Sequence, residues 1–121
     1  HRDLHSFPTR RSSDLILNPN IFNTKIPFPT LDASHPEFNP EKGYWRGPVW
    51  MDQAYFALMG MKKYGYENEV LKLTSKLFNE IQYPALYENY HPITGEGLNS
   101  PHFSWTAAHL YLMYIEILSQ N

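Results

Sequence analysis

The chain has 121 residues, a formal charge of -2 and no cysteine. That length suits one modest domain or part of a larger one, and the charge favours neither nucleic acid nor an anionic membrane as a partner. The lack of cysteine excludes disulfide staples and thiolate metal sites, and no apolar run is long enough to span a bilayer.

Residues His1 to Leu15 differ in style from the rest of the chain. They hold three of the four arginines, show no apolar periodicity, and from His5 onward resemble the translation of a sequencing adapter. Residues 1–15 are therefore expected to be a non-native segment, with the reading frame truncated and sequence upstream of it lost; the plain alternative is a disordered basic tail. Residues 16–121 then form the unit to be explained, with seven basic and ten acidic residues and a mildly acidic balance.

From Ile16 to Gly43, closely spaced prolines (Pro19, Pro27, Pro29, Pro36, Pro40) forbid a helix interior. Ile21, Phe22, Ile26, Phe28, Leu31 and Phe38 punctuate the stretch, which predicts a packed loop rather than a free tail. A first helix is predicted from Pro48 to about Tyr64, with Trp50, Ala54, Ala57, Leu58 and Met61 at helical spacing and Gly65 as a left-handed stop. A second should run from about Glu67 to Gln82, burying Val70, Leu71, Leu73, Leu77, Phe78 and Ile81 and turning Lys72, Lys76 and Glu80 to water. A loop from Tyr83 to Phe103 precedes a third helix, Ser104 to about Ser119, capped by Ser104. That last helix has almost no charged face and is expected to be buried on most sides. Three helices joined by such long loops look like part of a larger helical assembly.

Aromatic content is high, at 16 %, and aromatic rings serve both as core filler and as stacking faces for sugar rings. Two segments concentrate the candidate chemistry. The first, from Gly43 to Gln53, gathers Tyr44, Trp45, Arg46, Gly47, Trp50, Asp52 and Gln53 around a helix start, where unpaired N–H groups face outward and a glycine admits close approach. Its purely structural explanation is a cap in which the tryptophans are core residues and Arg46 pairs with Asp52. The second, from Leu86 to Gly95, sets Glu88 between Tyr87 and Tyr90. Most loop glutamates are solvated and idle, but one stripped of water by tyrosines makes a better general base. His91, His102 and His109 lack metal-ligand spacing, and no nucleotide or cofactor motif is present, so no cofactor or metal is called for.

Three segments taken together carry a family resemblance: Tyr44-Trp45-Arg46-Gly47-Pro48-Val49-Trp50, then Tyr87-Glu88-Asn89-Tyr90, then Phe103-Ser104-Trp105-Thr106-Ala107-Ala108-His109-Leu110. They closely resemble the C-terminal part of glycoside hydrolase family sixty-three, which contains processing α-glucosidases and bacterial α-glycosidases. The resemblance implies an all-α fold, a partial (α/α)6 toroid of about three helices plus long loops. It implies an inverting hydrolase of α-glycosidic bonds in oligosaccharides, with an Asp general acid and a Glu general base. Glu88 matches the base, while the acid belongs to the N-terminal part of the domain, upstream of this chain, so the fragment alone is expected to be inactive. Tyr44, Trp45, Arg46, Gly47, Trp50, Asp52, Gln53 and Trp105 would contribute substrate contacts. Trehalases share the toroid but differ in the tryptophan motif, with Asn-Gly in place of Arg46-Gly47. A helical carbohydrate-binding or scaffold module is the reading from another class, and the surroundings of Glu88 separate it from an enzyme.

Overall fold

A computed structural model describes residues 14–81 and 85–120. The segment set aside at the N-terminus lies outside the described residues except for Asp14 and Leu15, which fall in a helical turn over residues 14–17. The elements in chain order are α1 (Met51–Lys63), α2 (Glu67–Glu80), β1 (Asn89–Tyr90), β2 (Gly97–Leu98), α3 (Ser104–Glu116) and a 3-10 turn (Leu118–Gln120).

Helix α1 begins three residues later than Pro48 suggests. Val49 is held extended, because it exchanges both main-chain hydrogen bonds with Tyr90: Val49 N to Tyr90 O at 2.8 Å and Tyr90 N to Val49 O at 3.0 Å. A residue paired in this way cannot also be helical, so Trp50 becomes the cap with extended φ and ψ. The other end behaves as its glycine predicts. Gly65 has φ of +91°, its N–H reaches Lys62 O, and the Tyr66 N–H reaches Met61 O, which satisfies the last carbonyls of the helix. The tight turn returns the chain antiparallel as α2, which ends at Glu80 where Ile81 turns extended.

The core is one cluster in which α1 supplies Met51, Ala54, Leu58 and Met61, α2 supplies Val70, Leu73 and Leu77, and α3 supplies Leu110 and Met113. Each of the methionine, leucine and valine side chains among these contributes on the order of 1.5–3 kcal/mol by leaving water. Helix α1 packs against both α2 and α3, most extensively against α3. The proline-rich lead-in joins this core through Ile26 and Phe28 and is a packed loop as expected. It is tied down by Ile26 N to Pro92 O (3.1 Å) and by Lys76 Nζ to the Asn23 side-chain oxygen (2.8 Å). Lys76 is thus half-buried rather than directed to water, and desolvation lowers its pKa below the usual lysine value.

Two further features depart from expectation. The loop after α2 contains an antiparallel ribbon, β1 with β2, in which Asn89 faces Leu98 and Tyr90 faces Gly97. Helix α3 is not enclosed: Thr106, Leu110 and Met113 are its buried residues, whereas Trp105, Tyr111 and Tyr114 are exposed. The described chain offers it one packing face, formed by α1 and the ribbon loop. Ser104 is also not its cap; Phe103 holds that position and Ser104 is the first helical residue.

Candidate active site

The tryptophan-rich loop is built by the lead-in. Thr30 Oγ1 donates to Pro48 O (2.9 Å) and accepts from Gly47 N (2.9 Å), while Asn39 N donates to Arg46 O (2.8 Å). The close approach at Gly47 is made by the protein's own backbone, since a Cβ there would stand 2.5 Å from Asn39 O. Gly43 is under the same constraint from the same carbonyl. Between these glycines Tyr44 takes φ of +57°, a left-handed conformation that costs a non-glycine residue about 1–3 kcal/mol unless its surroundings hold it.

They do hold it. Trp50 Nε1 donates to Tyr44 O at 2.8 Å, and the Tyr44 ring stands edge-on to Trp50, with centroids 4.8 Å apart and planes at 89°. Trp45 stacks flat on Trp50 at 4.1 Å and 11°. The two indoles differ in access: Trp50 is 3 % exposed and Trp45 is 50 % exposed. Trp50 is therefore the backing and Trp45 the face available to a ligand.

Glu88 sits on the adjoining loop, which is fastened from three directions. Its N–H donates to Ser100 O (2.8 Å), Phe103 N donates to Leu86 O (2.8 Å), and buried Thr106 Oγ1 donates to Tyr87 O (2.6 Å) from the first turn of α3. The Val49–Tyr90 pair joins the same loop to the start of α1. Buried Asn89 accepts from Asn99 Nδ2 (2.8 Å), while its own amide nitrogen has no partner among the described residues.

These supports bring Glu88 into one small cleft with Trp50, Met51, Asp52, Phe103, Trp105 and Thr106. The Glu88 Oε2 accepts a 2.6 Å hydrogen bond from the Tyr44 hydroxyl. That contact raises the pKa of Tyr44 above the ordinary value of 10.0, chiefly because a proton bridging to a carboxylate is harder to remove. Tyr87 and Tyr90, the sequence neighbours expected to frame Glu88, do something else. Tyr90 is fully buried in the core, and its hydroxyl accepts from Tyr87 N at 3.0 Å. The Tyr87 ring lies directly over Gly97, in the space a Cβ there would need.

The remaining candidates divide. Asp52 is buried in the first turn of α1 and lines the cleft; Gln53 is exposed and donates to Asp52 Oδ2 at 3.3 Å. Arg46 does not pair with Asp52. Its guanidinium turns to the lead-in, 3.6 Å from the Glu37 carboxylate and 3.2 Å from the Glu37 carbonyl, at the exposed surface. Trp105 is half-exposed at the cleft. Thr106 and Phe103 also line the cleft, although sequence reasoning does not single them out as site residues. The available signal for Thr106 is a small hydroxyl in the first turn of a helix following a loop, a position suited to bonding that loop's carbonyls.

The chain as a whole is similar to known proteins. The model of the mannosylglycerate hydrolase MGH1-like glycoside hydrolase domain matches residues 5–106. The chain belongs to this family. It is similar to the mannosylglycerate hydrolase of Rubrobacter radiotolerans, 41 % identical over 73 residues that cover 60 % of this chain and 16 % of the relative. It is also similar to the mannosyl-oligosaccharide glucosidase of Saccharomyces cerevisiae, 33 % identical over 98 residues, 64 % of this chain and 12 % of the relative. Among solved structures, the GH63 mannosylglycerate hydrolase of Thermus thermophilus in complex with glucose superposes with a TM-score of 0.73. That pair is 25 % identical, over 86 % of this chain and 25 % of the other. The chain thus spans about a sixth of the length of the curated mannosylglycerate hydrolases it matches. The partial helical toroid follows from the fold shared with the GH63 enzymes, and the family assignment decides against the trehalase reading.

Proposed function

We propose that this GH63 chain carries the base half of an inverting α-glycosidase site, with Glu88 as the general base. The observation that carries the reading is the shared cleft: the Glu88 carboxylate opens on the same surface as Trp105, beside the stacked Trp45 and Trp50. A loop glutamate serving only solubility has no reason to be fastened there by Tyr44, Ser100 and Thr106.

In the reaction, Glu88 takes a proton from water as the water oxygen bonds to the anomeric carbon. The bond from that carbon to the leaving oxygen breaks as a second carboxylic acid, in the remainder of the domain, protonates the departing group. Inversion requires roughly 6.5–9.5 Å between the two carboxyls to admit the water. The exposed face of Trp45 and that of Trp105 suit the C–H face of a pyranose. Relatives named for mannosylglycerate and for glucosylglycerate, and one named for a mannosyl-oligosaccharide, support an α-linked mannose or glucose as the sugar released.

The test uses a complete family member that carries the counterparts of these residues. Exchange of the Glu88 counterpart for Gln should lower kcat by at least about 10²-fold, the usual contribution of a positioned base, with substrate binding retained. Asp52 is the second carboxylate of the cleft and the competing base. If the Asp52→Asn counterpart loses turnover while Glu88→Gln keeps it, the assignment passes to Asp52. Turnover by this chain alone, abolished by a substitution within it, would overturn the division of the site. We also propose that residues 1–15 are non-native and that the part of the domain carried by this chain is residues 16–121, with the Ile16 side chain packed on the core. The family match begins at residue 5, and independent clones that read uninterrupted across Leu15 would overturn that boundary.

A further inference from the structure

We propose that Tyr44, expected from sequence to touch substrate, is instead the positioning residue of Glu88, its hydroxyl fixing which carboxylate oxygen faces the water. This inference rests on the reading of Glu88 as the base. It starts from the number of restraints on one partly exposed side chain. Tyr44 is 42 % exposed, so burial does not hold it. Its backbone is left-handed, its carbonyl is pinned by Trp50 Nε1, and its ring is set edge-on against both Trp50 and Trp45. A strained and oriented tyrosine that leaves only its hydroxyl for use is built to aim that hydroxyl.

The target is Glu88 Oε2, at 2.6 Å, a length typical of a hydroxyl bonded to a charged carboxylate. A carboxylate rotates freely about its last carbon–carbon bond, and either oxygen can accept. With Oε2 engaged, that rotation stops and Oε1 is left as the oxygen that takes the proton from water. The tyrosine proton stays on Tyr44, whose elevated pKa is in keeping with a permanent donor. The backbone contacts from Ser100 and Thr106 fix where Glu88 stands, whereas Tyr44 fixes how its carboxylate is turned. A substrate-binding tyrosine would keep its hydroxyl proton for the sugar.

The experiment is steady-state kinetics on a complete mannosylglycerate hydrolase relative bearing both counterparts, with mannosylglycerate as substrate. Four forms are compared: wild type, Tyr44→Phe, Glu88→Gln and the double variant. Phenylalanine removes one oxygen from a partly exposed ring and keeps its edge-on packing against the indoles, so the fold is retained; thermal unfolding checks this. Tyr44→Phe should lower kcat about 10- to 100-fold, as expected for a misaimed catalytic group, with KM within about 2-fold of wild type. In the Glu88→Gln background the same change should have no further effect on kcat. Near-normal kcat in Tyr44→Phe, or a raised KM with kcat unchanged, overturns the positioning role while leaving Glu88 as base. Losses that multiply in the double variant also overturn it. Normal turnover by Glu88→Gln instead sinks the base reading itself, whatever Tyr44 does.

Discussion

Val49 and Tyr90 form a single two-bond β pair that joins the start of α1 to the loop bearing Glu88. Both residues are fully buried, so neither main-chain group has water as an alternative partner. The pair explains why two motifs far apart in the chain form one cleft, since the tryptophan loop and the glutamate loop share this anchor. Val49→Pro deletes the buried hydrogen bond from Val49 N to Tyr90 O. It should cost about 1–3 kcal/mol in urea unfolding, with loss of hydrogen-exchange protection in the β1–β2 ribbon.

The glycines give a pair of opposite outcomes. Gly60 lies in α1 with nothing within 4 Å of the place a methyl would take, so Gly60→Ala should raise stability by about 0.5–1 kcal/mol through helix propensity. Gly47→Ala drives a methyl into the Asn39 carbonyl, which is backbone and cannot rotate away. It should be destabilising by about 1–3 kcal/mol, as overpacking is. Differential scanning calorimetry of the two variants checks the sign of each.

The stacked indoles should separate binding from folding. Trp45→Ala removes an exposed face, so in a complete relative the counterpart change should raise KM and leave the unfolding temperature nearly unchanged. Trp50→Ala removes a buried ring together with the hydrogen bond to Tyr44, and should cost about 3–5 kcal/mol of stability. Equal effects of the two on unfolding would contradict the backing-and-face arrangement.

Alkaline titration reads the Tyr44–Glu88 contact directly. The folded-state pKa of Tyr44 is raised above 10.0, so the folded state holds this proton more tightly than the unfolded one. The stabilisation from the bond is complete below the unfolded value and is lost as pH rises through the raised folded value. Ultraviolet difference titration should show a late-ionising tyrosine component that is absent in Tyr44→Phe and moved back toward the ordinary value in Glu88→Gln.

Much of this architecture is legible in the residue pattern. Apolar periodicity locates the first two helices, because burial of Leu58 and Leu77 demands that spacing, and Gly65 marks its turn because few other residues take positive φ. The third helix is located as well, but the stripe of Trp105, Ala108, Leu112 and Ile115 read from its spacing is not the face it buries, which is Thr106, Leu110 and Met113. The start of α1 is not legible, because Pro48 suits a first helical turn and the competing claim on Val49 comes from a partner far along the chain. The β1–β2 ribbon is hidden because two-residue strands carry no alternation to detect. Sequence proximity points to Tyr87 and Tyr90 as the tyrosines beside Glu88, but β geometry turns Tyr90 into the core and the contact comes from Tyr44. Proximity likewise matches Arg46 to Asp52, whereas the folded lead-in brings Glu37 to it.

The supports of Glu88 have a further property in their chain positions. Tyr44, Val49, Tyr90, Ser100 and Thr106, with Thr30 and Asn39 that shape the tryptophan loop, all fall within one unbroken stretch from residue 30 to residue 106. The carboxylate and the parts that aim it are therefore inherited together. A genetic crossover at either edge of that stretch transfers a finished half of the site, and one inside it parts the acid group from its props. Shuffling among relatives should accordingly tolerate junctions before Thr30 or after Thr106 and penalise those between them.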